Sequence, residues 1–163
     1  LLLSCLLVLI LIMLNKILPK KLENKFTGHK IALYAFVIIT IITIARSLIH
    51  ILTQDGGAQS IATIPIDNYP TQAANAVILI FAYWGISQLI IGILYLIVIL
   101  RYKDLIPLMY IFLILEYSAR LGTGLLKPIE TVSTAPGAIG NYLAIPVMIV
   151  LFLLSLPKNK SAA

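Results

Sequence analysis

Residues 73–100 read AANAVILIFAYWGISQLIIGILYLIVIL, with no Asp, Glu, Lys or Arg anywhere in the run. A helix that crosses the ~30 Å hydrocarbon core of a bilayer needs roughly 20 apolar residues. This run exceeds that length, enough to tilt or to project beyond the bilayer. Its richness in Ile would favour a strand in water. In lipid, an unpaired strand edge is prohibitive. Outer-membrane strands are also shorter and alternate in polarity, which this run does not do. The reading is therefore a transmembrane helix.

Four further runs have the same character: residues 1–18, about 31–52, about 105–126 and about 142–156. Of 163 residues, 61% are hydrophobic and 11% charged, with a mean hydropathy of +1.05. Soluble domains carry about 25% charged residues, so this chain lacks the charge for a water-facing surface. The expected fold is an all-α integral membrane protein. It is a single domain over residues 1–163, a bundle of five transmembrane helices built as a four-helix core plus an N-terminal helix. The formal net charge of +6 does not indicate nucleic-acid binding, because the lysines stand at the ends of apolar runs, where headgroup and orientation anchors belong. Cys5 is the only cysteine, which excludes an internal disulfide and a cysteine metal cluster. The apolar stretch follows Cys5, whereas in a lipoprotein signal it precedes the cysteine, so Cys5 reads as a small helix-facing or lipid-facing residue.

Charge in the loops sets the expected orientation. The first loop carries Lys16, Lys20, Lys21, Lys25 and Lys30 against Glu23; the third carries Arg101 and Lys103 against Asp104; the tail carries Lys158 and Lys160. The loop at 53–72 has no Lys or Arg, only Asp55 and Asp67. Positive loops face the cytoplasm, placing the N-terminus outside and the C-terminus inside a multi-pass protein. The 53–72 loop holds an apolar stretch, Ile61-Ala62-Thr63-Ile64-Pro65-Ile66, between Gly56-Gly57 and Asp67-Asn68-Tyr69-Pro70. That pattern favours an ordered cap over a floppy connection.

The residues that should not be in lipid are the informative ones. An ionisable group inside a span costs several kcal/mol on insertion scales, so it faces the bundle and finds a partner. Arg46 and His50 are four apart and share one helix face, as do Glu116 and Arg120. At about 1.5 Å per residue, Arg46 and Arg120 lie at similar heights, about 23 Å above the inner ends of their runs. The run between them in sequence brings Trp84 and Gln88 to roughly the depth of Glu116. The candidate site is therefore Arg46, His50, Trp84, Gln88, Glu116 and Arg120, either as a structural ion-pair cluster or as a ligand site. Asn75, Tyr83, Asn141 and Tyr142 are candidates for its rim. Two arginines against one glutamate leave an excess positive charge in low dielectric. An anion, a wet pocket, snorkelling, or a loop residue such as Asp55 or Asp67 folding down could relieve it. Gly85, Gly92, Ser118 and Gly122 read as close-packing points between helices.

Other chemistries fit poorly. His29 and His50 stand at opposite ends of one helix, about 31 Å apart, and cannot share a haem. His50 and Glu116 alone are too few ligands for a metal. No serine or cysteine has an adjacent base in a nucleophile motif. No cofactor and no catalytic residue is assigned.

The stretch Arg101-Tyr102-Lys103-Asp104-Leu105-Ile106-Pro107-Leu108-Met109-Tyr110, followed by Leu115-Glu116-Tyr117 and Arg120-Leu121, resembles small uncharacterised bacterial four-helix membrane proteins of the DoxX-like kind, over about residues 30–156. The resemblance implies a four-helix core in a bacterial inner membrane. Members are often described as accessory subunits of membrane oxidoreductase systems, which implies a larger membrane partner. It transfers no catalytic residue. Three functions are therefore expected, in this order. The first is an accessory or scaffold subunit packed against a larger inner-membrane complex or a second copy, with lipids around it. The second is a small-ligand or lipid-binding protein or carrier, with an outward-facing pocket for an anionic group. The third is a membrane enzyme using Glu116 or His50.

Overall fold

The computed structural model describes residues 2–157, with the backbone alone for 2–5 and 7–9. The readings made for the side chain of Cys5 and for the basic tail at Lys158 and Lys160 lie outside the described residues. Five α-helices follow in order: α1 (Leu2–Ile17), α2 (Lys30–Leu52), α3 (Thr71–Arg101), α4 (Ile106–Leu126) and α5 (Pro136–Ser155). Short 3-10 turns, Ile66–Asn68 and Lys103–Leu105, precede α3 and α4. No strand occurs among the described residues.

Four helices are long and apolar enough to cross a membrane: α2, α3, α4 with its preceding turn, and α5. The fifth expected span is only partly supported. α1 is helical, but its 16 described residues extend about 24 Å, short of a ~30 Å core.

Local chemistry sets the helix ends. His29 caps α2, its Nδ1 accepting from the Ile31 N–H at 3.3 Å. Thr53 ends α2 by donating both its N–H and its hydroxyl to the Ile49 carbonyl. Pro107 lies in the first turn of α4 and Pro136 in that of α5, where a missing N–H costs nothing and the fixed φ suits a helix. This is why α5 begins at Pro136 and not near residue 142. The expected run at about 142–156 leaves Pro136, Gly137 and Gly140 in the preceding loop, but a proline followed by apolar residues is also a helix start. Pro146 lies inside α5 and removes one backbone donor there, a loss that membrane-spanning helices tolerate.

The helices pack in an open ring. α2 lies along α3, α4 lies along α5, and α2 also touches α5; α3 and α4 meet only sparsely. The α2–α3 seam is close because α3 presents glycines. A Cβ on Gly85 would stand 2.8 Å from the His50 Cβ and 3.0 Å from the Ser47 carbonyl oxygen; one on Gly92 would stand 2.7 Å from the Ile44 Cγ1. Gly122 and Ser118 are not such points: a Cβ on Gly122 meets nothing within 4 Å, and Ser118 is exposed. The main core fills one half of the bundle, around Phe36, Tyr95, Tyr110 and Met109. The Phe36 ring lies 5.2 Å from Tyr95 and 5.7 Å from Tyr110, and the Tyr110 hydroxyl donates to the Ala32 carbonyl at 2.7 Å. Polar groups on the buried face of α2 are satisfied internally, with Thr40 and Ser47 donating to the carbonyls of Phe36 and Thr43. The opposite helix faces carry exposed Ile, Leu and Tyr, including Ile38, Ile41, Ile80, Ile90 and Leu143. Apolar surface this continuous marks a lipid or protein contact.

The two ends of the bundle differ. At one end, the basic 18–29 segment meets the α3–α4 turn: the Glu23 N–H donates to the Asp104 carboxylate, and Asn24 donates to the Leu100 carbonyl at 2.8 Å. The His29 N–H donates to Leu154 at 2.8 Å. At the other end, residues 53–70 form an ordered cap with a small core of Ala58, Ile64 and Ile66 packed on Ala74, Val77, Ile78 and Phe81. The cap holds the 127–135 loop through Val132 N–H to Thr63 carbonyl (2.9 Å) and Thr63 Oγ1 to Ser133 carbonyl (2.7 Å).

Candidate functional site

The six candidate residues meet beneath the cap. From α2, Arg46 donates an Nη2 hydrogen bond to the Oε1 of Gln88 at 3.1 Å. From α3, Gln88 donates its Nε2 to the Glu116 Oε1 at 2.8 Å. On α4, Arg120 donates to the same oxygen from Nε at 3.1 Å and also from Nη2, one helical turn away. Gln88 is thus a buried amide, 5% exposed, with its two ends fixed by a donor on one side and an acceptor on the other. Trp84 lies one turn before Gln88. The Arg120 guanidinium carbon stands 4.8 Å and that of Arg46 5.5 Å from the centre of its ring. A ring face attracts cations, so Trp84 gives both guanidiniums a shared partner without neutralising either.

His50 joins this cluster to the cap. Its ring centre is 4.7 Å from Trp84 and 5.7 Å from Phe81. Its Nδ1 lies 2.7 Å from the Gly56 carbonyl oxygen; a carbonyl only accepts, so Nδ1 carries the proton. The cap turns sharply over the ring: Gly56 and Gly57 have φ of 59° and 75°, and a Cβ on Gly57 would stand 3.1 Å from the His50 Nδ1. Both the backbone and the space call for glycine here.

Sequence reasoning left open how the excess charge is relieved, and the structure narrows the choices. Glu116 does not bridge α2 and α4 as an ion pair. Its carboxylate pairs with Arg120 on its own helix, the only salt bridge among the described residues, and Arg46 reaches it through the neutral amide of Gln88. Neither loop acid folds down. Asp55 accepts from the N–H groups of Gly57, Gln59 and Ser60 in its own turn, and Asp67 bonds Gln59. Partial burial raises the Asp55 carboxyl, but the backbone donors from Ser60, Gly57 and Gln59 outweigh it and hold it down at about 2. Arg46 therefore has no carboxylate partner among the described residues. Its Nε is the one buried side-chain nitrogen or oxygen among them without a hydrogen bond.

Arg46, His50, Trp84 and Arg120 line a cavity of about 670 Å³. Its other walls come from the cap (Ile61, Ala62), from Phe81, from the end of α4 (Tyr117, Thr123, Lys127) and from the start of α5 (Ala138, Asn141). Of the four rim candidates, Asn141 lines the cavity; Asn75, Tyr83 and Tyr142 are exposed elsewhere. Tyr117, with the Arg120 guanidinium 5.6 Å from its ring centre, and Lys127 were not singled out from sequence. The spacing 117, 120, 124 on α4 marks the same face as Arg120, and that signal was available. Lys127 caps α4, its N–H on the Thr123 carbonyl, and continues the same face seven residues after Arg120. Among the described residues, no group of three His, Cys, Asp or Glu is placed to hold a metal ion. No family model, curated protein or solved structure matches the chain.

Proposed function

We propose that the chain is a multi-pass membrane protein that binds a small anionic ligand in the cavity beneath its cap. The observation that carries this is the state of Arg46. It is a guanidinium set in the upper part of a candidate span, without a carboxylate partner, on a cavity it shares with Arg120 and Lys127. A partly buried cation is costly unless paired. A carboxylate or phosphate in the cavity would accept charge-assisted hydrogen bonds from Arg46 and from Arg120, whose guanidiniums both lie against Trp84. Glu116 and Gln88 then act as the frame, Glu116 holding Arg120 and Gln88 holding Arg46.

The reading places the chain in a bacterial inner membrane, within the DoxX-like resemblance, with the cap outside and the basic end in the cytoplasm. Support for that orientation is the gathering of the basic segments at one end of the bundle and of the cap and the 127–135 loop at the other. An accessory-subunit role has less behind it, since the exposed apolar faces are equally suited to lipid. An enzyme using Glu116 or His50 has less again. One Glu116 oxygen is taken up by Arg120 and Gln88, and His50 is engaged by the cap.

Native mass spectrometry of protein extracted from membranes in mild detergent tests the proposal. The wild type should carry an anionic small-molecule adduct that Arg46→Ala removes and Arg120→Ala weakens, each lost charge-assisted bond being worth about 1.5–3 kcal/mol. Equal adducts in wild type and both variants would contradict it. A stoichiometric co-purifying protein with no adduct would favour the accessory role instead.

A further inference from the structure

Resting on that reading, we infer that the ligand is an amphiphile: one anionic head joined to an acyl-type apolar body, and not a free inorganic anion. The first ground is size. Sites of about 300–1,000 Å³ take ligands of drug-like size, and a cavity of about 670 Å³ is far larger than a bare phosphate or acetate requires.

The second ground is how polarity is distributed over the walls. Arg46 and Arg120 share the Trp84 ring, and Lys127 is a third cation on the wall. Most of the remaining wall is apolar, Ile61, Ala62, Phe81 and Ile129 among it, with Thr and Asn side chains between. A free anion would leave those apolar walls in contact with water, whereas an apolar body would cover them, at about 25 cal/mol for each Å² removed from water.

The third ground is depth. Arg46 and Arg120 each lie six residues before the cap-side end of their helix, about 9 Å along the axis. For helices of 23 and 21 residues centred on a ~30 Å hydrocarbon core, that puts both guanidiniums several Å inside the cap-side edge of the core, just below the headgroup layer. α3 and α4 pack only sparsely along their length, and at the site they are joined by side chains, through the Gln88–Glu116 hydrogen bond and the Arg120–Trp84 contact.

Trp84 is the only tryptophan in the chain and lines the cavity, so its fluorescence reports the site directly. The purified full chain in detergent would be titrated with stearate dibrominated at mid-chain, a contact quencher. The brominated stearyl alcohol would serve as a head-group control, and inorganic phosphate as a competitor. Saturable quenching by the brominated stearate is expected. It should be at least about tenfold weaker in Arg46→Gln, the alcohol should quench no more than it does in that variant, and excess phosphate should not relieve it. Relief of quenching by phosphate would overturn the amphiphile inference and leave the anion site standing. Equal quenching by acid and alcohol, unchanged in Arg46→Gln, would overturn both. Circular dichroism of Arg46→Gln, with helicity equal to wild type, keeps a loss of quenching from being a loss of fold.

Discussion

At the scale of single residues, the site depends on a few positions with no spare room. Gly57 combines a left-handed backbone with a Cβ direction aimed at the His50 ring. Gly57→Ala should therefore destabilise the cap by about 1–3 kcal/mol, read as a lower thermal midpoint and faster hydrogen exchange in residues 53–66. Gly85→Leu should cost about 1–3 kcal/mol through overpacking of the α2–α3 seam; a midpoint equal to wild type would show that the seam is looser than described. Asp55 supplies a pH dependence. Its carboxyl is held at about 2, below the ordinary 3.8, so the folded cap binds that proton more weakly than the unfolded chain does. The contribution is whole above about pH 4 and is lost as pH falls through 2. Amide protection at Gly57, Gln59 and Ser60 should fall in that window, and Asp55→Asn should flatten the dependence. The six residues at the site were legible one by one, because a charge or amide in an apolar run is conspicuous and four-residue spacing sets its face. Their pairing was not. Whether Glu116 turns to Arg46 or Arg120 depends on side-chain reach, and the insertion of Gln88 between two helices leaves no periodic mark.

At the scale of elements, helix existence followed from hydrophobic length, while one start did not. α5 begins at Pro136 because proline fits a first turn, and the same residue read from sequence as a loop signal. The cap was legible as an ordered segment from its apolar middle and flanking glycines. Its grip on the 127–135 loop was not, because that rests on Thr63, a β-branched residue at φ 56°. Such a conformation is unfavourable without glycine and is offset here by two hydrogen bonds to the loop. Thr63→Val keeps the shape and removes the hydroxyl. It should release the loop, so that a glutamate-specific protease cuts at Glu130 several-fold faster than in wild type. An unchanged rate would mean that the backbone bond from Val132 suffices.

At the scale of the whole molecule, composition alone implied a helical membrane bundle, and the charge of the loops implied two unlike ends. The open ring of helices could not be read, because sequence order says nothing about which apolar faces meet, and α3 and α4, neighbours in the chain, pack only sparsely while α2 reaches α5. The orientation is checked by labelling: in a Cys5→Ser background, a cysteine at Gln59 should react with a membrane-impermeant maleimide in intact cells, and one at Lys103 only after permeabilisation. The reverse pattern would invert the topology. The central proposal is that Arg46 holds an anionic ligand and does not serve only as a structural staple. It is tested most directly by an experimental density map of the protein extracted with its native lipids. Density for an anionic head within hydrogen-bond reach of both Arg46 and Arg120, continuing along Phe81 and Ile61 under the cap, is the expected result. A collapsed cavity with Arg46 paired directly to Glu116 would contradict it.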